Sequence, residues 1–237
     1  MSGSSRRLTF ATTGLVAAAL TLPIGLATAS SAAAAPARTP KPCVSSGCSI
    51  VSRADVDGDG RADTTSLTRR DKGKAYTLRV VTASGRVAST SVATPWLQGT
   101  GVAPFRGAVA LDGARGSELV VLTGMGAHTS IHNVYTWRSG RLVAEKDPSG
   151  STEWVTDGAL SFSKGYTLRT VKGARQLTSI SLVRDSWGTK ATFTGTRIVA
   201  RWQKGRWTPI TERAVRMPEG PAVWSGAGWN VKGLARF

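Results

Sequence analysis

The sequence predicts an all-β fold, and three observations carry that prediction. Runs of β-branched and aromatic residues alternate with polar ones at period two, as in "AYTLRVVTA" (75–83), "SELVVLTG" (117–124), "SIHNVYTW" (130–137), "LTSISLV" (177–183) and "TRIVARW" (196–202). That period puts every second side chain on one face, as a half-buried strand requires. Turn residues separate the runs at short intervals, and no long stretch has helical periodicity. Two blocks also align without gaps at an offset of 55 residues: Asp57-Gly58 falls on Asp112-Gly113, Asp63 on Glu118, Leu67 on Leu122, and Ser84-Gly85-Arg86 on Ser139-Gly140-Arg141.

The segments follow in order along the chain. Arg6 and Arg7 precede an apolar run, Leu15 to Ala27, and then the small residues Ala32 to Ala35. This is the layout of a secretory signal peptide over 1–34, with cleavage expected near Ala34 and export from the cell. A retained membrane anchor is the alternative; Pro23, the threonines and the alanine-rich exit favour cleavage, which leaves no transmembrane anchor in the mature chain. "SRRLTF" leaves both the general and the twin-arginine export routes open. Residues 35–49 form a proline-rich spacer holding Cys43 and Cys48, the two cysteines of the sequence. In an oxidising compartment they are expected to pair, and closing so short a loop contributes only about 2 kcal/mol on the chain-entropy estimate. Residues 50–237 then suffice for one domain with a real core and are short for two.

Within that domain the repeat predicts three antiparallel meander units, at 50–97, 105–147 and 154–217, followed by a short tail. The third copy is looser, with "TDGALSF" near residue 156 and a further turn at Lys204-Gly205-Arg206. All three x-Gly-Arg turns read as tight two-residue hairpins. Such units cannot bury their faces alone and must stack.

The most specific signal is "ADVDGDGRAD" (54–63), where Asp55, Asp57, Asp59 and Asp63 gather four of the chain's 14 carboxylates. Calcium takes six to eight hard oxygen ligands. Carboxylates on alternate residues of a tight loop can converge on one ion, and Gly60 permits the turn. Asp55, Asp57, Asp59 and Asp63 would supply side-chain oxygens and Arg61 its backbone carbonyl. An EF-hand is excluded because Ser66 stands where its last glutamate belongs and "TTSLT" after the loop reads as a strand. A metal-free Asp/Gly turn held by Asx-type hydrogen bonds is the competing reading. In the second copy Ala110 and Ala114 replace Asp55 and Asp59, so Asp112 and Glu118 are not expected to hold an ion alone.

"DVDGDGRAD" followed by strands, with its degenerate copy "ALDGARGSELVV", resembles the FG-GAP and VCBS-type repeats of integrin-like β-propellers. The stretch from about 50 to 237 also resembles a group of small secreted actinobacterial proteins of unknown function. The resemblance implies calcium-bound, blade-like sheets used for adhesion or ligand display. Three units are fewer than the four to eight blades of a closed propeller. An incomplete propeller, a fourth blade completed by the termini, and a β-sandwich of the same meanders all stay open.

No pattern for catalysis stands out. His128 and His132 would share a strand face but lack a third ligand. No serine sits in a nucleophile elbow. Carboxylates at Glu118, Glu145, Glu153, Asp157 and Asp185 show no spacing that singles out a pair. The chain therefore reads as a non-enzymatic binding module, with a secreted hydrolase or hydrolase accessory acting on anionic glycans as the alternative. Setting aside Arg6 and Arg7 leaves 29 basic against 14 acidic residues. Outside the cell, that balance points to an anionic envelope polymer or glycan, or to another extracellular protein, and not to nucleic acid. Eight tryptophans, several beside basic residues, fit either a core or a binding face.

Overall fold

The computed structural model describes residues 39–237; the expected signal segment and its cleavage point lie outside the described residues. Strands β1 (Cys48–Ala54), β2 (Asp63–Arg70), β3 (Ala75–Val81) and β4 (Val87–Ala93) pair in sequence order as one antiparallel meander. A second meander comprises β5 (Phe105–Val109), β6 (Glu118–Met125), β7 (Thr129–Arg138) and β8 (Arg141–Glu145). A third comprises β10 (Phe162–Val171), β11 (Ala174–Arg184), β12 (Thr192–Gln203) and β13 (Arg206–Pro218). The fold is thus all-β and antiparallel, with three four-stranded meanders; the first two lie where the repeat places them, whereas the third starts at Phe162 and not at 154, because 154–157 forms a separate strand.

The short strand β9 (Trp154–Asp157) joins the second and third meanders. It pairs with β7 along Thr129–His132 and touches β10 at Lys164↔Asp157, so the two meanders become one ten-stranded sheet. The tail adds a five-residue helix, α1 (Pro221–Ser225), and β14 (Gly228–Asn230), which lies parallel to β10. Both sheets are open, with β1 and β4 at the edges of one and β5 and β13 at the ends of the other.

The second meander lies between the other two. Leu119, Val121, Tyr135 and Trp137 pack against Leu67, Leu78, Val80 and Val92 of the first sheet. The alternating Val120 and Val134, with Val109 and Leu111, pack against Trp154, Tyr166, Leu177, Ala200 and Trp229. Burial on both faces explains why "LVVL" (119–122) is apolar throughout, as in strands covered on both sides. A third cluster holds α1 through Val223 against Leu182 and Phe193.

Cys43 and Cys48 form the expected disulfide. No helix among the described residues is long and apolar enough to cross a membrane. Two of the three x-Gly-Arg turns are tight two-residue hairpins, with φ positive at both Ser139-Gly140 and Lys204-Gly205, and Lys172-Gly173, followed by alanine in place of arginine, makes another. Ser84-Gly85 differs. It sits in a longer loop closed by the Thr82 N–H to the Arg86 carbonyl, and the Ala83 N–H in that loop is donated to Asp63.

Candidate functional site

The acidic loop connects β1 to β2, and its carboxylates organise the backbone around them. Asp63, buried at the start of β2, accepts the N–H groups of Val56 (2.8 Å) and Asp57 (3.0 Å) on one oxygen and of Ala83 (2.8 Å) on the other. Asp55 accepts from Gly58 (2.7 Å) and Gly60 (2.9 Å). Asp57 accepts only from Asp59, at 3.2 Å. One oxygen each from Asp55, Asp57 and Asp63 lies within 4.8 Å of the others, a spacing that can hold a metal ion. Burial, then the neighbouring Asp63, pushes the Asp57 carboxyl upward from its ordinary value. Among the described residues no cationic side chain is ion-paired with these three.

Asp59 does not join them. Its carboxylate engages the Arg61 guanidinium at 2.7 Å on the exposed rim, and that contact holds its pKa below the usual carboxylate range. Of the four aspartates the sequence nominates, three converge, while Asp59 pairs with the Arg61 guanidinium; that side-chain pair does not involve the Arg61 backbone carbonyl, the atom the sequence nominates. Three carboxylates, each with lone pairs beyond its N–H contacts, suit a hard divalent cation completed by water or backbone oxygen.

The second copy repeats the backbone geometry with different electrostatics. Glu118, aligned with Asp63, accepts the N–H groups of Leu111 (2.8 Å) and Asp112 (3.1 Å), the counterparts of Val56 and Asp57. Asp112 accepts from Ala114, two residues on, as Asp57 does from Asp59. Arg138, at the position matching Ala83, reaches in to pair with the buried Asp112 carboxylate. Glu145 joins from the end of β8, accepting the indole N–H of Trp207 at 2.8 Å. Asp112, Glu118 and Glu145 are all buried, and by distance alone they too could hold a metal ion.

Their charge is already managed. Burial, reinforced by Glu118 and Asp112, raises the Glu145 carboxyl far above its ordinary value, so it keeps its proton at neutral pH. That proton can be donated to Asp112, which gives the otherwise unpartnered Glu145 Oε2 a partner. Glu118 is raised to about 7, first by burial and then by Asp112. One guanidinium, the Glu145 proton and a second proton on Glu118 together balance three carboxyls. The repeat marks Asp112 and Glu118, but Glu145 and Arg138 enter only through strand pairing, which brings β7 and β8 alongside the loop.

A third Asp-Gly pair keeps only the turn. Asp157 accepts the Ala159 N–H at 2.8 Å, and Ser163, six residues on, replaces the carboxylate and donates instead to the Val223 carbonyl. The glycine after each aspartate marks where the next segment docks. A Cβ on Gly58 would lie 2.7 Å from Arg115, one on Gly113 2.5 Å from Trp202, and one on Gly158 2.9 Å from Phe237. The reciprocal Gly116, with φ +106°, would place a Cβ 2.4 Å from the Val56 carbonyl oxygen. The two acidic loops are therefore in direct backbone contact.

The histidines do not meet on a strand. His128 lies in the turn before β7, whereas His132 is buried against Trp229, its Nδ1 3.2 Å from the Trp154 carbonyl, and burial lowers its pKa to about 4. Trp137, Trp154, Trp207 and Trp229 are core residues, Trp202 and Trp224 are half-buried, and Trp96 and Trp187 are exposed. Compared with known proteins, the chain matches no family model, no curated protein and no solved structure.

Proposed function

We propose that this protein is an exported, non-enzymatic binding module of FG-GAP/VCBS-like character, whose first acidic loop is fastened by calcium and whose basic surface holds anionic envelope polymers or glycans. The observation that carries the calcium reading is the convergence of the Asp55, Asp57 and Asp63 carboxylates with no cationic side chain among the described residues paired to them. Calcium is the cation that an all-oxygen, flexible, partly hydrated loop favours, with the weak affinity typical of extracellular modules. The Cys43–Cys48 disulfide supports an oxidising compartment. The test is retention on purified cell-wall polymer in calcium and its salt sensitivity, since attraction among exposed charges is screened beyond about 8 Å at physiological salt.

One observation favours a second reading, a hydrolase of anionic glycans. Glu118 and Glu145 have raised pKa values, as functional acids often do, and Glu145 borders a cavity of about 400 Å³ with Trp202, Trp207 and Arg206. The burial argues against it. The free Glu145 oxygen is sealed from solvent and the other is held by Trp207, so no scissile bond reaches either. Turnover of a polygalacturonate or glycosaminoglycan panel that Glu145→Gln abolishes would establish the second reading over the first.

A further inference from the structure

The outer face of the third meander, away from the second, carries a charge pattern that the fold itself does not require. Register places Arg169 (β10), Arg197 and Arg201 (β12) and Arg213 (β13) on this face, opposite to the core-facing Leu168, Leu177 and Ala200. Arg197 is directly paired with Arg213 across β12 and β13. Like charges directly opposite on neighbouring strands are destabilising. Among the described residues, none of the four arginines takes part in an ion pair or a side-chain hydrogen bond. Glu212, the nearest acid in sequence, pairs with Ile198 and so points to the other face. Part of this face is walled by α1 and the following turn, forming an open groove of about 440 Å³ that Thr167, Arg169, Thr178, Arg197 and Asn230 line.

We infer that this groove and the sheet face beside it are the site where a linear anionic carbohydrate polymer binds, its phosphate or carboxylate groups taken by Arg169 and Arg197 in the groove and by Arg201 and Arg213 next to it. The inference rests on the binding-module reading and gives it a location. Guanidinium groups recognise both anions bidentately. Arg169 and Arg201 are separated by one intervening strand, about 10 Å at ordinary strand spacing, so they can engage successive charged repeats. Thr167, Thr178 and Gln176 between them both donate and accept hydrogen bonds, which suits the hydroxyls of a sugar chain. Single-stranded nucleic acid is disfavoured because this face offers no aromatic platform for base stacking. A membrane is disfavoured because the groove is recessed and the large apolar side chains that line it, Ile180 and Met217, are half-buried against the Leu182, Phe193 and Val223 cluster and so are not free to insert.

The experiment measures binding of the purified protein to poly(glycerol phosphate) and to polygalacturonate in separate arms. Vesicles of equimolar phosphatidylglycerol and phosphatidylcholine and a single-stranded oligothymidylate serve as comparison ligands. The variant R169Q/R197Q/R201Q/R213Q is set against R70Q/K72Q/K74Q/R141Q, which removes equal charge from exposed positions elsewhere. The expected result is that at least one polymer outbinds vesicles and oligothymidylate, that the groove variant weakens it roughly 10-fold or more, and that the control variant changes it by less than about threefold. Whichever polymer arm responds identifies the anion. Equal weakening by both variants overturns the groove while leaving polymer binding intact. Preference for vesicles or oligothymidylate overturns the class of ligand, and absence of binding to either polymer overturns the underlying reading as well. Arginine modification by phenylglyoxal on the unaltered protein gives a readout independent of the variants' folding: bound polymer should protect Arg197 and Arg213, and unchanged modification would contradict the site.

Discussion

The two acidic loops have the same scaffold and opposite ways of handling charge. Asp63 and Glu118 each accept a pair of N–H groups from the turn before them, and Asp57 and Asp112 each cap the N–H two residues on. In the first loop three carboxylates converge at a half-exposed turn without a cationic partner among the described residues. In the second the carboxyls are buried, and Arg138, with protons on Glu145 and Glu118, balances them. A repeat can thus keep its backbone while one copy leaves a carboxylate cluster open to a cation and the other fills it with a guanidinium. Solvent access decides between the two: an exposed loop can recruit a cation from solution, whereas a buried one must carry its own.

The largest expected effect comes from separating the loops. Gly116→Val forces a Cβ into the Val56 carbonyl at a backbone conformation that a β-branched residue resists, and it should cost about 3 kcal/mol or more of unfolding free energy by denaturant titration. Next is removal of the built-in cation. Arg138→Met leaves the buried Asp112 carboxylate unpaired and is expected to destabilise by about 3 kcal/mol at neutral pH, with the loss shrinking in mildly acidic buffer as the carboxyls gain protons.

The second loop should also set the pH profile. The folded-state pKa of Glu118 is raised above its ordinary 4.5 to about 7, so the folded state holds a proton that the unfolded chain releases. Its stabilising contribution is full below about pH 4.5 and is lost as pH rises through about 7; a shift of that size corresponds to about 3 kcal/mol for a fully buried group. Thermal melts from pH 5 to pH 8 should fall in the native protein and fall less in Glu118→Gln. An equal slope in both would remove Glu118 as the cause.

Much of this was legible in the sequence, and the missing parts share a reason. The three meanders, the offset of 55 and the clustering of Asp55, Asp57 and Asp63 follow from period-two patterning and local spacing. Glu145 and Arg138 were not legible as partners of Asp112, because strands β7 and β8 bring them in from 33 and 26 residues away in sequence. The joining of two meanders through β9 was equally hidden, since Trp154–Asp157 is too short to show a period. Asp59 illustrates the converse. Alternation suggests a ligand, but Asp59 is ion-paired with Arg61, two residues on, and stands outside the converging group. The conformational reading of glycine was also incomplete: Gly113 and Gly158 have ordinary φ and serve by leaving room for Trp202 and Phe237.

Smaller effects sharpen the contrast within the first loop. Ala83→Arg places in the first copy the residue that Arg138 supplies in the second. It should add up to about 1 kcal/mol without calcium and blunt the response to the ion. Asp59→Ala, which touches only the rim pair, should change stability by less than about 0.5 kcal/mol.

The most direct test is a calcium titration followed by thermal unfolding of the protein, Asp57→Ala and Asp59→Ala. For a dissociation constant near 10⁻³ to 10⁻⁴ M, about 10 mM calcium should stabilise the protein by roughly 1.4–2.7 kcal/mol, a rise of several degrees in Tm for a domain of this size. Asp57→Ala should abolish the rise and Asp59→Ala should keep most of it. A protein whose Tm ignores calcium, or whose response survives Asp57→Ala, would show that the converging carboxylates are a hydrogen-bonded turn and not a metal site.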